Sequence, residues 1–253
     1  MKTALTLALL LPLAACSTPA KNSGFLSTYD GLTTKPGAAR ASVAIKPAGP
    51  DIAALRKVAL QPTVMAQAAA ASWMTPVERD LLLREIDAQL CFELSERYEI
   101  AASDAPDAAQ VRAAVVAVTP TGRVGSAAAA AASFFVPGPI GIRAPGTLGT
   151  LSAEAEMLLG GRQVAALSWS RTAMALGTDD PSLSRVGDAL QFAEPFADQA
   201  AAAMTAPGVK SPGPAKPDPC AAYGPRFRPE GVLAGFATGL YVPEMSGAKK
   251  ADE

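Results

Sequence analysis

Short apolar runs of the length of β-strands occur five times along this chain. They cover residues 55–63, 98–102, 111–118, 151–159 and 162–174. Gly160 and Gly161 separate the last two runs, and a Gly-Gly pair between strand-like segments is a strong hairpin signal. The pattern therefore predicts about five strands, of which the last two pair as an antiparallel hairpin.

A helix is predicted to begin at Thr75 and to run to about Arg97. Thr75 can cap this helix, Pro76 suits its first position, and Glu78 completes a capping box. The apolar stripe of the helix consists of Leu83, Ile86, Leu90 and Leu94, and Glu85, Gln89 and Glu93 lie across the axis. Cys91 lies at the edge of the stripe, where a crossing segment of chain could be pinned to it.

A second helix is predicted from Asp180-Pro181 to about Met204, with a kink at Pro195. Combined with the strands, the two helices predict one α/β (α+β) domain. In this domain a single small mixed sheet of about five strands carries two helices on one face.

Composition divides the chain into four segments. Residues 1–15 have the pattern of a signal peptide, 16–50 form a tether, 51–204 form the α/β domain, and 205–253 form a Pro-rich linker and tail. The tether has one ordered hook, whose large apolar residues are Phe25, Leu26, Tyr29 and Leu32.

Residues 119–150 interrupt the domain with an excursion rich in Ala, Gly and Pro, longer than a compact domain usually allows without a purpose. It is either a lid, a membrane-touching loop or a partner-binding arm, or a short Ala-rich helix with a connector.

The beginning of the chain resembles the export signal of a lipid-modified protein. A basic residue precedes an apolar stretch over residues 4–15, which is too short to span a bilayer, since that takes about 20 apolar residues. The sequence Leu13-Ala14-Ala15-Cys16 resembles the lipobox of bacterial lipoproteins, in which a peptidase cleaves between Ala15 and Cys16 and the cysteine is lipidated. The alternative is an ordinary signal peptide with a chance cysteine.

A lipobox lipoprotein carries two or three acyl chains, which attach it stably to a membrane. One chain holds only marginally, at about 0.8 kcal/mol per buried methylene. Ser17, and not Asp, follows Cys16. By resemblance to the usual bacterial sorting rule, this favours the periplasmic face of the outer membrane.

Cys91 and Cys220 remain once Cys16 is assigned to lipid. Because disulfides persist in exported proteins, we expect a bond between these two residues. The alternative is that Cys91 is a small buried apolar residue and Cys220 a free thiol.

Composition excludes several kinds of chemistry. The 253 residues include no histidine, so a Ser-His-Asp triad, a Cys-His pair and a His-ligated zinc site are all absent. The formal net charge of −1 lacks the basic surplus that nucleic-acid binding needs. The sequence shows no metal-ligand cluster, and we expect neither a metal nor a cofactor.

Glu154 and Glu156 lie at the spacing that places two carboxylates on one face of a strand, as a general acid/base pair requires. The simpler interpretation is that they alternate on the exposed face of the predicted hairpin. We therefore predict no catalytic residue.

Several segments together resemble one known family. They are Ser23–Leu32 just after the lipobox, Val58–Pro62, the amphipathic helix, Val111–Val115 and Ala153–Leu158. Over about residues 16–204 the chain resembles a group of bacterial lipoproteins known as the domain of unknown function 3313. This resemblance implies an envelope lipoprotein and supplies no catalytic residues, and it does not extend to the linker and tail.

The function expected from these observations is that of a non-enzymatic envelope lipoprotein. It would be attached to the membrane by Cys16 and act through contact with an envelope protein or the cell wall. The alternatives are a carrier of a small molecule or lipid and, less favoured, an envelope hydrolase that uses carboxylates.

Overall fold

A computed structural model gives the fold of the protein. It describes residues 22–36, 40–69, 72–133, 141–144, 146–209 and 215–249. The predicted lipobox, with Ala15 and Cys16, lies outside these ranges.

Ten strands and six α-helices occur in the described residues. The strands are β1 (Thr33–Thr34), β2 (Ala41–Lys46), β3 (Lys57–Leu60), β4 (Val64–Met65), β5 (Glu99–Ala101), β6 (Ala109–Thr119), β7 (Gly141–Ile142), β8 (Thr150–Leu159), β9 (Arg162–Thr172) and β10 (Leu176–Gly177). The helices are α1 (Pro76–Ser95), α2 (Arg123–Ser133), α3 (Gly187–Gln191), α4 (Ala193–Met204), α5 (Pro229–Thr238) and α6 (Pro243–Ser246).

Eight of the strands form one mixed sheet, so the α/β class is confirmed and the expected number of strands was too low. The order across the sheet is β1-β2-β9-β8-β6-β3-β5, with β4 also paired to β6. Strands β3, β4 and β5 make the parallel pairs and the remaining neighbours are antiparallel. The other two strands, β7 and β10, pair with each other.

The folded unit begins before Asp51, within the segment that composition assigns to the tether. Strand β2 pairs with β9 along its whole length, from Ala41 opposite Arg171 to Lys46 opposite Ala166. Its local sequence alternates small and apolar residues between Pro- and Gly-containing stretches, so its strand character depends on its pairing partner.

The predicted hairpin is present and lies at the centre of the sheet. Strands β8 and β9 pair from Thr150 opposite Thr172 to Leu159 opposite Arg162. Gly160 and Gly161 connect them with φ angles of 58° and 78°. Positive φ at both central residues is what a tight two-residue hairpin turn demands, and glycine adopts it without steric cost.

Helix α1 begins as predicted, with a complete capping box. The backbone N–H of Glu78 donates to Thr75 Oγ1 at 3.2 Å, and the N–H of Thr75 donates to Glu78 Oε2 at 2.9 Å. Arg185 also donates to both carboxylate oxygens of Glu78, and this hydrogen bonding lowers the pKa of Glu78 to about 2.

The second predicted helix begins six residues later than expected and is divided in two. Ser182 Oγ donates to the carbonyl of Tyr241, and the N–H of Tyr241 donates to the carbonyl of Pro181. These contacts hold the start of the segment against the tail, so the helical residues begin at Gly187. The break between α3 and α4 falls at Phe192, and Pro195 lies in the first turn of α4, where a missing N–H costs little.

The main core lies between the sheet and the layer formed by α1, α3 and α4. Trp169 of β9 is buried at its centre, with ring centroids 6.5 Å from Phe192 and 5.9 Å from Phe196. From α1, Leu82, Ile86, Leu90 and Leu94 enter the same core. Three helices therefore cover this face of the sheet where the sequence predicts two, because the second predicted helix is divided into α3 and α4.

A buried ion pair ties the excursion at residues 119–150 to this layer. Arg143 donates to both carboxylate oxygens of Asp188 at 2.6 and 2.9 Å, and both side chains are almost completely buried. The N–H of Gly149 donates to the same carboxylate at 2.7 Å. The excursion does contain a short Ala-rich helix, α2, whereas Phe134, Phe135 and Val136 lie outside the described residues.

The C-terminal tail is folded against the outer side of α1. A disulfide joins Cys91 of α1 to Cys220, with Cα atoms 5.8 Å apart, so the structure contains the pair that the cysteine count predicts. Ala88, Phe92 and Ala248 complete a small apolar cluster around this bond. In the described part of the chain, no helix is both long and apolar enough to cross a membrane.

The disulfide predicts a definite peptide map. Digestion without reductant is expected to yield one linked pair of peptides containing Cys91 and Cys220, with neither residue alkylated. Because the bond spans 129 residues, chain entropy predicts that its loss costs about 4–5 kcal/mol of unfolding free energy.

Denaturant unfolding of oxidised wild type, reduced wild type and Cys220→Ser measures this cost. Reduced wild type and Cys220→Ser are expected to lose the same unfolding free energy relative to oxidised wild type. Alkylation of both thiols in unreduced protein would exclude the bond.

Candidate functional site

The two faces of β8 are both buried, for different reasons. Ala153, Ala155 and Met157 face the main core, as alternation along a strand requires. Glu154 and Glu156 lie on the other face and are both 0% exposed. The expectation that they alternate on a solvent-exposed face was therefore wrong, because the N-terminal segment covers them.

Glu154 is bonded by two hydroxyl groups of that segment. Ser23 Oγ donates to Glu154 Oε2 at 2.6 Å, and the hydroxyl of Tyr29 donates to the same oxygen at 2.9 Å. The Tyr29 hydroxyl also accepts a hydrogen bond from the backbone N–H of Gly24 at 2.8 Å. The other oxygen, Oε1, is buried and forms no hydrogen bond with a described residue.

Glu156 accepts hydrogen bonds from three parts of the chain. Ser27 donates its backbone N–H to Oε2 and its hydroxyl to Oε1, both at 2.9 Å. Gln163 Nε2 donates to Oε2 at 2.6 Å, and Arg112 Nε donates to Oε1 at 2.5 Å. Burial alone would raise the pKa of Glu156, but the hydrogen bonds from Gln163, Ser27 and Arg112 outweigh it and hold the pKa below its ordinary value.

The donors of Glu156 also hold the backbone of the N-terminal segment. Arg112 Nη2 donates to the carbonyl of Phe25 at 3.2 Å, and its guanidinium lies 5.0 Å from the centre of the Phe25 ring. Gln163 Nε2 donates to the carbonyl of Thr28 at 2.9 Å, and Leu26 is buried. We call this arrangement the N-terminal clamp; it comprises Ser23–Tyr29, Arg112, Glu154, Glu156 and Gln163.

The clamp is arranged for binding the chain itself and not for acid/base catalysis. A catalytic carboxylate must come within hydrogen-bond reach of a substrate, but both carboxylates are buried beneath their own N-terminal segment. Among the described residues, no group of three or more Cys, Asp and Glu side chains is placed to hold a metal ion.

A second polar cluster lies between α1, α3 and the tail, around a cavity of about 230 Å³. Glu85, Gln89, Arg228 and Tyr241 line this cavity together with exposed residues of the tail. Burial raises the pKa of Glu85, and burial also raises the pKa of Tyr241. This cavity is separate from the excursion at residues 119–150, where the sequence suggested a lid.

Sequence reasoning placed Glu154 and Glu156 on one face but missed what covers them. Their partners Ser23 and Tyr29 lie 131 and 125 residues away from Glu154 along the chain. The available signal was the hook itself, a cluster of hydroxyl and apolar residues in a stretch otherwise typical of a flexible tether. Of the predicted site residues, Cys91 and Cys220 are brought together, and Ala15 and Cys16 lie outside the described residues.

Two solved structures share limited similarity with this chain. One is a PelC dodecamer from Paraburkholderia phytofirmans, with a TM-score of 0.40 and 11% identity, covering 66% of this chain and 99% of that chain. The other is a PelC dodecamer from the same organism that carries one substitution, with a TM-score of 0.36 and 14% identity, covering 65% and 98%. No curated protein matches the chain.

Residues 21–200 match a family model described as "Protein of unknown function (DUF3313)". The match spans well over half of the chain and includes every residue of the N-terminal clamp, the central hairpin and most of α4. The linker and tail lie beyond it. The chain therefore belongs to the DUF3313 family of proteins of unknown function.

Proposed function

We propose that this protein is a lipid-anchored protein of the bacterial envelope that acts by binding and not by catalysis. Lipid on Cys16 would attach it to the membrane, and Ser17 favours the periplasmic face of the outer membrane. The observation that carries the proposal is the N-terminal clamp, which begins at Ser23 and so follows the lipobox closely.

The clamp shortens the tether that the sequence suggested. Six residues lie between Cys16 and Ser23, and the seven steps from one to the other reach at most about 25 Å when fully extended. If the clamp were open, the nearest residue paired in the sheet would be Thr33 of β1, and the 17 steps from Cys16 to Thr33 would reach about 60 Å. A closed clamp therefore holds the domain near the membrane surface.

The layers of the fold place the tail on the side opposite the clamp. The clamp covers one face of the sheet, and α1 and α4 cover the other. The tail lies on the far side of α1. With the clamp turned towards the membrane, the tail faces away from it and is open to contact with other envelope components.

The outer side of the tail has the character of an interaction surface. Phe227, Leu233 and Phe236 are 71%, 68% and 83% exposed, and Val232 is 47% exposed. Large apolar side chains clustered on one exposed element are typical of protein contact sites. This supports a binding role.

The alternatives have weaker support. A carrier needs an apolar cavity, but the cavity of about 230 Å³ beside the tail is lined by several charged side chains. A hydrolase would need carboxylates that converge in an open cleft, and Glu154 and Glu156 are covered.

The anchor is tested by metabolic labelling with palmitate. Wild type is expected to be labelled and to fractionate with the outer membrane, and Cys16→Ala is expected to lose the label because it lacks the acceptor thiol. Cys220→Ala is the matched control and should keep it. An unlabelled wild type, or a labelled Cys16→Ala, would contradict lipidation at Cys16.

The binding role is tested by photo-crosslinking in intact cells. A photoreactive phenylalanine analogue at Phe236 is expected to give discrete higher-mass adducts, because this side chain projects from the tail. The same analogue at Glu99, on the edge strand β5, is the control and should give none. Recovery of unmodified protein alone from the Phe236 position would count against this role.

The clamp is tested by Glu154→Gln/Glu156→Gln. The partners of Glu156 are all donors. An amide NH₂ in place of one carboxylate oxygen would face these donors without accepting from them, which costs about 1–3 kcal/mol of stability per unsatisfied group. Hydrogen exchange is expected to accelerate at least about tenfold over residues 22–32 and to stay unchanged in β9, since an opening cost of 1.4 kcal/mol corresponds to tenfold.

The control is Glu99→Gln, a change at an exposed residue, which should alter hydrogen exchange neither in residues 22–32 nor in β9.

Because the pKa of Glu156 is lower in the folded protein than its ordinary value, the clamp should be at full strength at neutral pH. Its stability is expected to decline as the pH falls through the ordinary carboxylate range towards the lowered pKa. Equal exchange in wild type and the double variant would exclude the clamp.

A further inference from the structure

The tail covers the polar side of α1 with two arginines, Arg226 and Arg228, that are separated by one residue. Arg226 forms ion pairs with Glu93 and Glu96, and Arg228 faces Glu85. The acidic side of α1, defined as Glu85, Glu93 and Glu96, therefore already holds an Arg-x-Arg segment of its own chain. The residue between the arginines is Phe227, which is exposed.

The fit at Glu85 is incomplete. Arg228 Nη1 lies 4.0 Å from Glu85 Oε1 and donates instead to the carbonyl of Ser246 at 2.7 Å. Arg228 Nε is buried and has no hydrogen-bond partner among the described residues. Glu85 is bonded by Gln89 Nε2 at 2.7 Å and by the N–H of Ala248 at 2.5 Å, both neutral donors.

Coverage by the tail is unfavourable for the carboxylates of this surface. Burial raises the pKa of Glu85, and the hydrogen bonds from Gln89 and Ala248 do not cancel this effect. Burial likewise raises the pKa of Glu93, although Arg226 opposes it. A guanidinium in direct contact with Glu85 would offset the cost of burying its charge.

Unfilled space lies next to the poorly paired groups. The cavity of about 230 Å³ borders Glu85, Arg226 and Arg228, and its volume equals that of about eight water molecules at roughly 30 Å³ each. On the side of α3 and α5, Leu190 and Val232 line it. The tail thus leaves room for a larger or differently placed side chain.

The tail covers mainly polar residues of α1, although Tyr241 also packs, partly buried, against the main core. We call residues 226–249 the flap; it is joined to the disulfide at Cys220 through Gly224, whose φ of 78° suits a turn. Glu85, Gln89 and Glu93 beneath the flap are polar, so water can solvate them when they are exposed. In the apolar cluster at Cys91 and Phe92, the disulfide stays in place, and Ala248 is the buried residue that belongs to the flap.

From these contacts we infer that the acidic side of α1 is a binding surface for an arginine-bearing segment of a partner protein. The partner segment carries two arginines separated by one residue, and these arginines pair with Glu85 and Glu93. It displaces the flap while the disulfide stays intact. The flap acts as an internal competitor, and the disulfide keeps it at a high effective concentration. This inference rests on the proposed function only in assigning a binding role.

The test uses full-length oxidised protein and a fluorescein-labelled peptide with the sequence of residues 224–231, Gly-Pro-Arg-Phe-Arg-Pro-Glu-Gly. Wild type should bind this peptide weakly because the flap competes. Arg226→Ser/Arg228→Ser should bind it at least about tenfold more tightly by fluorescence anisotropy, since the weakened flap competes less.

Two further variants show where the peptide binds. Adding Glu85→Gln/Glu93→Gln to the flap variant should abolish the gain, whereas adding Asp80→Asn, an exposed carboxylate of the same helix, should preserve it. A peptide with both arginines replaced by glutamine should not bind. Equal binding by wild type and a folded flap variant, or unchanged binding after loss of both glutamates, would overturn the inference.

Hydrogen exchange of the wild type provides a test that needs no variant. Millimolar peptide should accelerate exchange in α5 and α6 and leave β8 and β9 unchanged, because the flap is displaced. Unchanged exchange in α5 and α6 would contradict displacement. None of these measurements involves a membrane, so their failure would leave the proposed lipid anchor standing.

Discussion

Two buried carboxylates on the outer face of β8 determine how the rest of this protein is arranged. A carboxyl group buried at the position of Glu154 or Glu156 needs hydrogen-bond donors to offset its loss of water. Strands β8 and β9 alone cannot supply enough donors, so the N-terminal segment must fold across the sheet with Ser23, Ser27 and Tyr29. The segment Ser23–Tyr29 therefore belongs to the folded structure, and the sheet has both faces covered.

The N-terminal segment of the clamp and the flap both pack on buried carboxylates, but they supply hydrogen-bond donors to these carboxylates to different extents. At the N-terminal clamp, donors surround Glu156 so completely that its pKa lies below the ordinary value in spite of burial. Under the flap, no cation of the described residues is in hydrogen-bond contact with Glu85, and burial raises the pKa of Glu85. The N-terminal clamp is therefore a stable structural contact. The flap is an occupant of the acidic side of α1 that a better ligand can replace. This contrast connects the proposed anchoring role with the inferred binding surface.

The proposed lipid anchor has a structural consequence. A short tether and a closed clamp would keep the domain near the membrane, with the tail and its exposed Phe236 on the opposite side. The family match ends at residue 200, before the linker and tail. The shared part of the fold thus contains the clamp and α1, and the cover over the acidic side of α1 comes from residues beyond that match.

The amino-acid sequence by itself determined the local elements whose signals are short in range. The capping box at Thr75, the Gly160-Gly161 turn and the main strands were predictable because neighbouring residues specify them. The cysteine count also predicted the Cys91–Cys220 pair. Tertiary structure alone decided the outcome where partners are distant. Strand β2 forms because β9 pairs with it, and α3 begins late because Tyr241 binds Pro181. Glu154 and Glu156 are buried because Ser23 and Ser27, more than 120 positions away, bring the N-terminal segment over them. Periodicity indicates which face of a strand a residue occupies, but whether that face meets water depends on which remote segment covers it.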